Sequence, residues 1–195
     1  GFTDNLAEAS KPVVLFGVHP YDIYGLNILD RVYAEAKFPD PYYIARRRAT
    51  VVIGIDFVPD DKHCAGSMNA DFVDHGFDIF LSDIGDDYLV LVGTSRGDDI
   101  VVKSGCLMQP ATEADFAEYK KRSRIRRDSY KTKLELGDLP EILEMEYNSK
   151  VWDDFGARCL SCSSCSMVCP TCYCFDVTDE TELGNRAGRR IRSWD

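Results

Sequence analysis

Two apolar runs near the start of the chain predict buried β-strands. Residues 13–18 read Val-Val-Leu-Phe-Gly-Val, and residues 49–57 are rich in β-branched side chains. Between them, apolar residues from Ile23 to Tyr33 recur at helical spacing, which predicts a helix with Asp22 as its N-cap. A strand, a helix and a second strand in this order are typical of a βαβ unit.

Further apolar runs extend the predicted sheet. Residues 77–81 and 88–92 are apolar and flank the turn-forming residues 85–87, Gly-Asp-Asp, so they predict a hairpin. Residues 100–102, Ile-Val-Val, predict one shorter strand. Residues 40–48, which carry aromatic side chains and three arginines, either contact a cofactor phosphate or a partner or, as the pattern favours, form the entry to the second strand. The sheet is therefore expected to be mixed.

The pattern changes after about residue 110. Residues 111–133 are rich in helix formers and charges, and Pro140 opens a second predicted helix that ends near Gly156. A cysteine-rich segment follows directly. We therefore predict an α+β chain, with an α/β docking domain over residues 1–110 and helices leading into a cysteine-rich module over residues 111–195.

Composition and charge narrow the range of functions. The chain has 195 residues, of which 45% are hydrophobic and 29% are charged, and its net charge is −10. An acidic chain is a poor partner for nucleic acid, which is bound by neutralising phosphates. No apolar run approaches the roughly 20 residues of a membrane span, and no signal peptide opens the chain. We expect a cytoplasmic protein without a membrane, and a fragment, because the chain starts without Met and stops abruptly at Asp195.

The cysteines are concentrated in one place. Six of the eight lie between Cys159 and Cys174, whereas Cys64 and Cys106 stand alone. A disulfide framework spreads its cysteines to join distant loops, which six neighbouring cysteines cannot do. The clustering therefore predicts metal ligands in a reducing compartment.

The spacing of these cysteines indicates which metal they hold. Cys159, Cys162, Cys165 and Cys169, followed by Pro170, form the run C-x2-C-x2-C-x3-C-P. This is the run of bacterial ferredoxins, in which the thiolates hold a [4Fe–4S] cluster. The intervening serines are small enough for backbone N–H groups to approach the sulfur atoms. We therefore predict a ferredoxin-like iron–sulfur module that transfers electrons.

Zinc is the alternative metal. Structural zinc usually takes two ligand pairs that are separated by a longer loop, which three evenly spaced cysteines do not match. If zinc were bound, the chain would be a metal-stapled structural or interaction module without redox activity. The spacing favours iron–sulfur.

The remaining cysteines leave alternatives open. In two-cluster ferredoxins the cysteine in the position of Cys169 binds the other cluster, and these 195 residues contain no second run. Cys169 therefore either closes this cluster or serves a partner run. Cys172 and Cys174 either ligate another centre, with Cys64 or Cys106, or are buried free thiols that behave as small hydrophobes.

Residues 159–176, CLSCSSCSMVCPTCYCFD, resemble the iron–sulfur beta subunit of cytoplasmic nickel–iron (sulf)hydrogenases. They are also similar to the iron–sulfur subunit of anaerobic sulfite reductases. The similarity extends to other segments: residues 16–22, 29–32, 40–47, 76–78 and 192–195.

The resemblance implies an electron relay in an anaerobic complex. Proteins of this family pass electrons through [4Fe–4S] clusters, between a flavin subunit that handles NAD(P)H and a hydrogenase or sulfite/sulfur reductase catalytic subunit. They normally carry two ferredoxin-like runs, so the resemblance implies a second cluster if the chain continues. Tyr21 departs from the family because many relatives have a cysteine there, and Cys64 stands in a loop where relatives often have two cysteines.

No residues of the chain form a recognisable catalytic motif. A Gly-rich phosphate loop and a Ser/His/Asp or Cys/His arrangement are both missing from the sequence. His63 beside Cys64 is interpreted as a loop histidine rather than a metal ligand. The basic residues 120–127 either dock an acidic subunit or form the solvated face of a helix.

Overall fold

The computed structural model describes residues 6–105, 108–184 and 187–194, so Cys106 lies outside the described residues. The chain divides into two compact units, Gly1–Leu139 and Pro140–Asp195. In the parts of the chain that are described, no helix is long and apolar enough to cross a membrane.

The first unit is built on a mixed sheet, as predicted. Its strands lie in the order β1-β2-β3-β4, with β1, β2 and β3 parallel and β4 antiparallel to β3. In the register, Val13 lies opposite Thr50, Ile53 opposite Ile79 and Leu81 opposite Val90. The strands are β1 (Val13–Val18), β2 (Thr50–Ile55), β3 (Ile79–Asp83) and β4 (Tyr88–Val92).

Helices connect and cover these strands. The β1-to-β2 crossover contains two of them, so the predicted βαβ unit is present with one helix more than expected. The helices of the first unit are α1 (Leu6–Ala9), α2 (Pro20–Tyr33), α3 (Pro41–Ala49), α4 (Ser95–Lys103) and α5 (Glu113–Asp128), with a 3-10 turn at Ala65–Met68.

The core of the first unit lies between α2 and the sheet. Ile23 of α2 and Val52 of β2 are fully buried there, and Phe77 packs against Phe80 with ring centroids 5.4 Å apart. Gly54 of β2 is buried beside these side chains. A Cβ at this position would overlap the Phe80 ring and would lie 2.7 Å from Ile23 Cδ1. The core therefore requires glycine at residue 54.

We expect Gly54→Ala to lower the free energy of unfolding by about 1–3 kcal/mol, because a buried ring must shift to admit the new methyl group. Urea denaturation followed by far-UV circular dichroism measures this change. Gly137→Ala is the matched control, since a Cβ there meets nothing within 4 Å. Equal stability of the two variants would contradict the packing described for Gly54.

The start of α2 differs from the prediction. The helix begins at Pro20 and its N-cap is His19, so Asp22 lies in the first turn and is not the cap. Proline is favoured at the first helical position, where its missing N–H would have no helical partner. The acidic side chain of Asp22 still suits the first turn, where it meets the positive end of the helix dipole.

Two helices occupy segments for which helices were not predicted. Residues 40–48 lead into β2 as expected, but they do so as a helix: Asp40 accepts hydrogen bonds from the backbone N–H groups of Tyr42 and Tyr43 at 2.8 and 3.1 Å and caps α3. The predicted strand at residues 100–102 was wrong, because these residues lie inside α4. The Thr94 hydroxyl caps that helix by accepting from the Gly97 N–H at 3.1 Å.

Helix α5 belongs to the first unit. Arg122 approaches Asp83 at 3.3 Å, and Arg126 approaches Asp56 at 2.5 Å, so ion pairs join α5 to the ends of β3 and β2. The division in the structure therefore falls after Leu139, whereas the sequence suggested a division between residues 110 and 111.

The second unit carries the cysteine run. The single helix expected from Pro140 to Gly156 is divided in two, and the Trp152 indole N–H donates to the Glu146 carbonyl at 2.7 Å across the break. A hairpin that was not predicted follows the cysteines. The elements are α6 (Leu139–Met145), α7 (Lys150–Arg158), α8 (Ser164–Val168), β5 (Phe175–Thr181) and β6 (Gly188–Trp194).

Charge pairs across the strands stabilise this terminal hairpin. Arg190 lies opposite Asp179 in the register, and its guanidinium donates to both carboxylate oxygens at 2.7 Å. The neighbouring pair, Arg189 and Glu180, approaches to 2.6 Å. Opposite charges placed directly across an antiparallel ladder favour pairing of the strands.

Candidate metal centre

The four cysteines of the ferredoxin run lie on two short connections and one short helix. Cys159 is the C-cap of α7, Cys162 lies in the loop that follows, Cys165 lies within α8, and Cys169 is the C-cap of α8. All four side chains are exposed free thiols. The ends of α7 and α8 therefore position the run at the surface of the second unit.

The loop between Cys159 and Cys165 has an unusual backbone conformation. Ser161 and Ser163 have φ values of 49° and 56°, in the left-handed region that side-chain-bearing residues rarely adopt. These two residues bend the chain sharply around the position of Cys162. As a result, the backbone N–H of Ser161 donates to Cys159 Sγ at 3.4 Å, as expected for small residues between cluster ligands.

Hydroxyl groups accompany two further thiols. Ser164 Oγ lies 3.2 Å from Cys162 Sγ, and Thr171 Oγ1 lies 3.6 Å from Cys169 Sγ. Hydrogen bonds from the Ser164 hydroxyl and from its backbone lower the pKa of the Cys162 thiol. A lowered pKa favours the thiolate, which is the form that binds metal.

A proline turn follows the run. The Cys172 N–H donates to the Cys169 carbonyl at 3.2 Å, which closes a turn with Pro170 at its second position. Cys172 is half-buried, and Cys174 is exposed immediately before β5. The turn therefore separates Cys172 and Cys174 from the first four cysteines as a second, smaller group of thiols.

The donor set suits an iron–sulfur cluster. The four thiols have the spacing of ferredoxin ligands. N–H and O–H groups lie within hydrogen-bonding distance of two of the sulfur atoms, as is typical around the ligands of such clusters. Among the described residues, no three His, Cys, Asp or Glu side chains are gathered into a metal-holding group.

The other residues considered from the sequence lie in the first unit. His63 pairs with Asp60 at 2.7 Å, and Cys64 is a half-buried free thiol at the start of the 3-10 turn. Tyr21 packs edge-on to Phe57 with centroids 5.3 Å apart. An aromatic cluster therefore occupies this part of the chain.

The basic residues 120–127 are partly solvated, as one of the two interpretations of the sequence held, and several of them also form ion pairs within the first unit. Three of the arginines point toward carboxylates of the first unit and form ion pairs with them: Arg122 with Asp83, Arg126 with Asp56 and Arg127 with Asp71. Sequence reasoning missed these pairs because the partners are far apart in the chain. The spacing of three to four residues between these arginines was the sequence feature that could have indicated that they lie on the same face of a helix.

Residues 158–195 match the family of the 4Fe-4S dicluster domain. The matched segment contains the ferredoxin run, both further cysteines and the terminal hairpin. The C-terminal part of the chain is therefore a [4Fe–4S]-binding module. This match favours iron–sulfur over the zinc alternative.

The chain is 40% identical over 182 residues to sulfhydrogenase 2 subunit beta of Pyrococcus furiosus. The match covers 93% of this chain and 54% of the relative, so the chain spans about half the length of that protein. No solved structure matches the chain. The two matches support the resemblance to an iron–sulfur hydrogenase beta subunit: the chain is similar to sulfhydrogenase 2 subunit beta and contains a 4Fe-4S dicluster module.

Proposed function

We propose that the chain relays electrons within a hydrogenase-type oxidoreductase complex. The observation that carries the proposal is the ferredoxin run at Cys159, Cys162, Cys165 and Cys169 inside a dicluster domain. A [4Fe–4S] cluster accepts and returns single electrons without making or breaking bonds in the polypeptide. The role of the chain is therefore to hold the cluster, tune it and bring it near its partners.

In this proposal, Cys159, Cys162 and Cys165 supply three thiolates to one cluster. Cys169 supplies the fourth thiolate of this cluster, or, if the protein carries a second run as two-cluster ferredoxins do, it binds the neighbouring cluster instead. Cys172 and Cys174 are the further thiols available to such a neighbour. The ligand set predicted from spacing is retained unchanged.

Hydrogen-bond donors near the sulfur atoms have a defined role in the proposal. The Ser161 N–H and the Ser164 hydroxyl lie within hydrogen-bonding distance of Cys159 Sγ and Cys162 Sγ. Such bonds stabilise negative charge on the sulfur, and they therefore favour the reduced, more negative cluster. The Ser164 hydroxyl is therefore expected to raise the reduction potential relative to alanine, whereas the Ser161 N–H is a backbone group that alanine would keep.

The surroundings of the cysteines suit contact with other subunits. Leu160, Met167 and Val168 are 87%, 85% and 78% exposed beside the ligand residues, and Tyr173 is also exposed. Exposed apolar side chains that lie close together mark sites of protein association. The partners implied by the resemblance are a flavin subunit that handles NAD(P)H and a hydrogenase or sulfite/sulfur reductase catalytic subunit.

The proposed setting is the cytoplasm of an anaerobic cell. The described cysteines are free thiols, and a reducing compartment preserves exposed thiols as metal ligands. Iron–sulfur chemistry fits such a compartment.

Anaerobic titration with dithionite tests the proposed function. We expect the iron-loaded chain to take up about one electron per cluster, with loss of visible absorption, and to return it to an oxidising dye. The Cys64→Ser variant should behave identically, because Cys64 lies outside the ferredoxin run. A chain that takes up no electrons, as a zinc-stapled module would, contradicts the proposal.

A further inference from the structure

A cavity of about 320 Å³ opens within the first unit, on the side of the sheet that faces α5. Pro20, the first residue of α2 after β1, lines it, as do Asp56 and Phe57, directly after β2. The carboxyl ends of parallel strands are the usual place for ligands in open α/β sheets. The volume falls within the range of small-molecule sites. The proposed electron transfer makes no use of this cavity.

The interior of the cavity is apolar and rich in aromatic rings. Val73 and Phe80 are buried beneath it, and Leu91 is half-buried beside them. The rings of Phe57 and Tyr130 meet edge-on with centroids 6.5 Å apart. Aromatic side chains from different elements line the space: Phe57, Phe72, Phe80, Tyr119 and Tyr130. Such a lining favours a planar ring, which can stack on or meet the edges of these side chains.

Positive charge exceeds negative charge in the lining. The basic residues are Lys120, Arg124, Arg126 and Arg127, and the acidic residues are Asp56 and Asp71. Two basic side chains therefore remain unbalanced, although the whole chain carries a net charge of −10.

The two carboxylates are already neutralised by partners. Arg126 pairs with Asp56 at 2.5 Å, and Arg127 pairs with Asp71 at 2.7 Å. The Ser82 hydroxyl also donates to Asp56, although burial raises the pKa of this carboxyl overall. An anion that enters the cavity therefore meets no unpaired carboxylate of the lining.

Lys120 and Arg124 are the unbalanced cations. They lie four residues apart on α5, so they occupy the same face of the helix, and both line the cavity. Within the described part of the chain, neither makes an ion pair or a side-chain hydrogen bond. Both side chains are exposed, so they lie where the cavity meets solvent.

We propose that this cavity binds a small aromatic anion, with its ring among the aromatic side chains and its anionic group at Lys120 and Arg124. The ring loses contact with water, and the burial of its apolar surface favours binding. The two cations select a negative group and fix the orientation of the ring. This site is separate from the cysteine run, so its test does not depend on the cluster.

Isothermal titration calorimetry with 8-anilinonaphthalene-1-sulfonate tests the proposal on the anaerobically prepared 195-residue chain. We expect binding at one site per chain, weakened about tenfold or more in the double variant Lys120→Gln/Arg124→Gln. The matched control is Lys121→Gln/Lys131→Gln, which removes the same charge from ion-paired lysines outside the cavity. The control should bind within about twofold of the unmodified chain.

A second variant tests the cavity itself. Ser123 lines the space from α5, and Ser123→Phe fills it without changing any charge. We expect this variant to lose the site while keeping the far-UV circular dichroism of the unmodified chain. The proposal would be overturned if the two double variants bound with equal affinity, or if several equivalents bound per chain. Unchanged affinity in a folded Ser123→Phe variant would also overturn it. If Ser123→Phe does not fold, the comparison of the double variants decides.

Discussion

Replacing Cys162 with serine is expected to reduce the iron content from about four atoms per chain to nearly none. Cys162 is the central thiol of the ferredoxin run, and the Ser164 hydroxyl at 3.2 Å favours its thiolate form. A serine hydroxyl keeps its proton at neutral pH, so it is a poor replacement for a thiolate ligand. Iron and acid-labile sulfide, measured after anaerobic reconstitution, report the result.

Cys64→Ser is the matched control for this experiment. It makes the same thiol-to-hydroxyl change at a half-buried cysteine of the first unit, outside the ferredoxin run. We expect the control to retain its iron and sulfide. If both variants retained iron, Cys162 would not be a ligand. If both lost it, the loss would reflect general damage to the chain rather than a missing ligand.

Replacing Asp78 with alanine is expected to cost about 3 kcal/mol of unfolding free energy. The Asp78 carboxylate is 3% exposed, and it accepts hydrogen bonds from the Thr94 hydroxyl at 2.5 Å and the Val52 N–H at 2.9 Å. Arg96 donates to both of its oxygens at 3.1 and 3.2 Å. Removal of the carboxylate leaves several donors without their acceptor. Arg96 is 40% exposed, so water compensates for part of its loss.

The same carboxylate gives the stability a defined dependence on pH. Burial raises the pKa of Asp78, but the hydrogen bonds from Thr94, Val52 and Arg96 outweigh burial and hold the pKa below its ordinary value. A lowered pKa in the folded state stabilises the protein above about pH 4, and this contribution is lost as the pH falls further. We therefore expect the cost of Asp78→Ala to be largest near neutral pH and smaller in acid.

Urea denaturation of Asp78→Ala at neutral and acid pH measures both effects. Asp74→Ala is the control, because Asp74 is 77% exposed and pairs with the neighbouring His75 at the surface. The control should change stability by less than about 0.5 kcal/mol. Equal stability of the two variants at neutral pH would contradict the structural role given to Asp78.

The strands of the mixed sheet were predictable because their signals are local. Residues 13–18 and 50–55 are continuous apolar runs, and the hairpin at residues 79–92 has turn-forming residues between two such runs. Residues 100–102 gave a wrong prediction, because three apolar residues in a row fit a strand or one face of a helix equally well. The deciding signal was Thr94, the N-cap of α4, which lies several residues upstream.

Other features depend on partners that are distant in the chain. Nothing in the local sequence indicates that Asp56 pairs with Arg126 or that Asp78 pairs with Arg96. The terminal hairpin was missed for a related reason. Its first strand, from Phe175 to Thr181, is polar and largely exposed, so it shows little apolar pattern, and cross-strand charge pairs stabilise it instead.

The candidate ligands were predictable because the ferredoxin run is compact. The spacing from Cys159 to Cys169 specifies a metal and a set of thiolates without any knowledge of the fold. The cluster that Cys169 serves was not predictable, because the answer depends on a second run that these 195 residues lack. The hydrogen bonds to Cys159 and Cys162 required the backbone geometry of the loop.

Elemental analysis of the unmodified chain, purified and reconstituted without oxygen, tests the central claim most directly. The claim is that the ferredoxin run from Cys159 to Cys169 holds a [4Fe–4S] cluster. We predict about four iron and four acid-labile sulfide per cluster, with no stoichiometric zinc. Stoichiometric zinc without iron or sulfide would contradict the account.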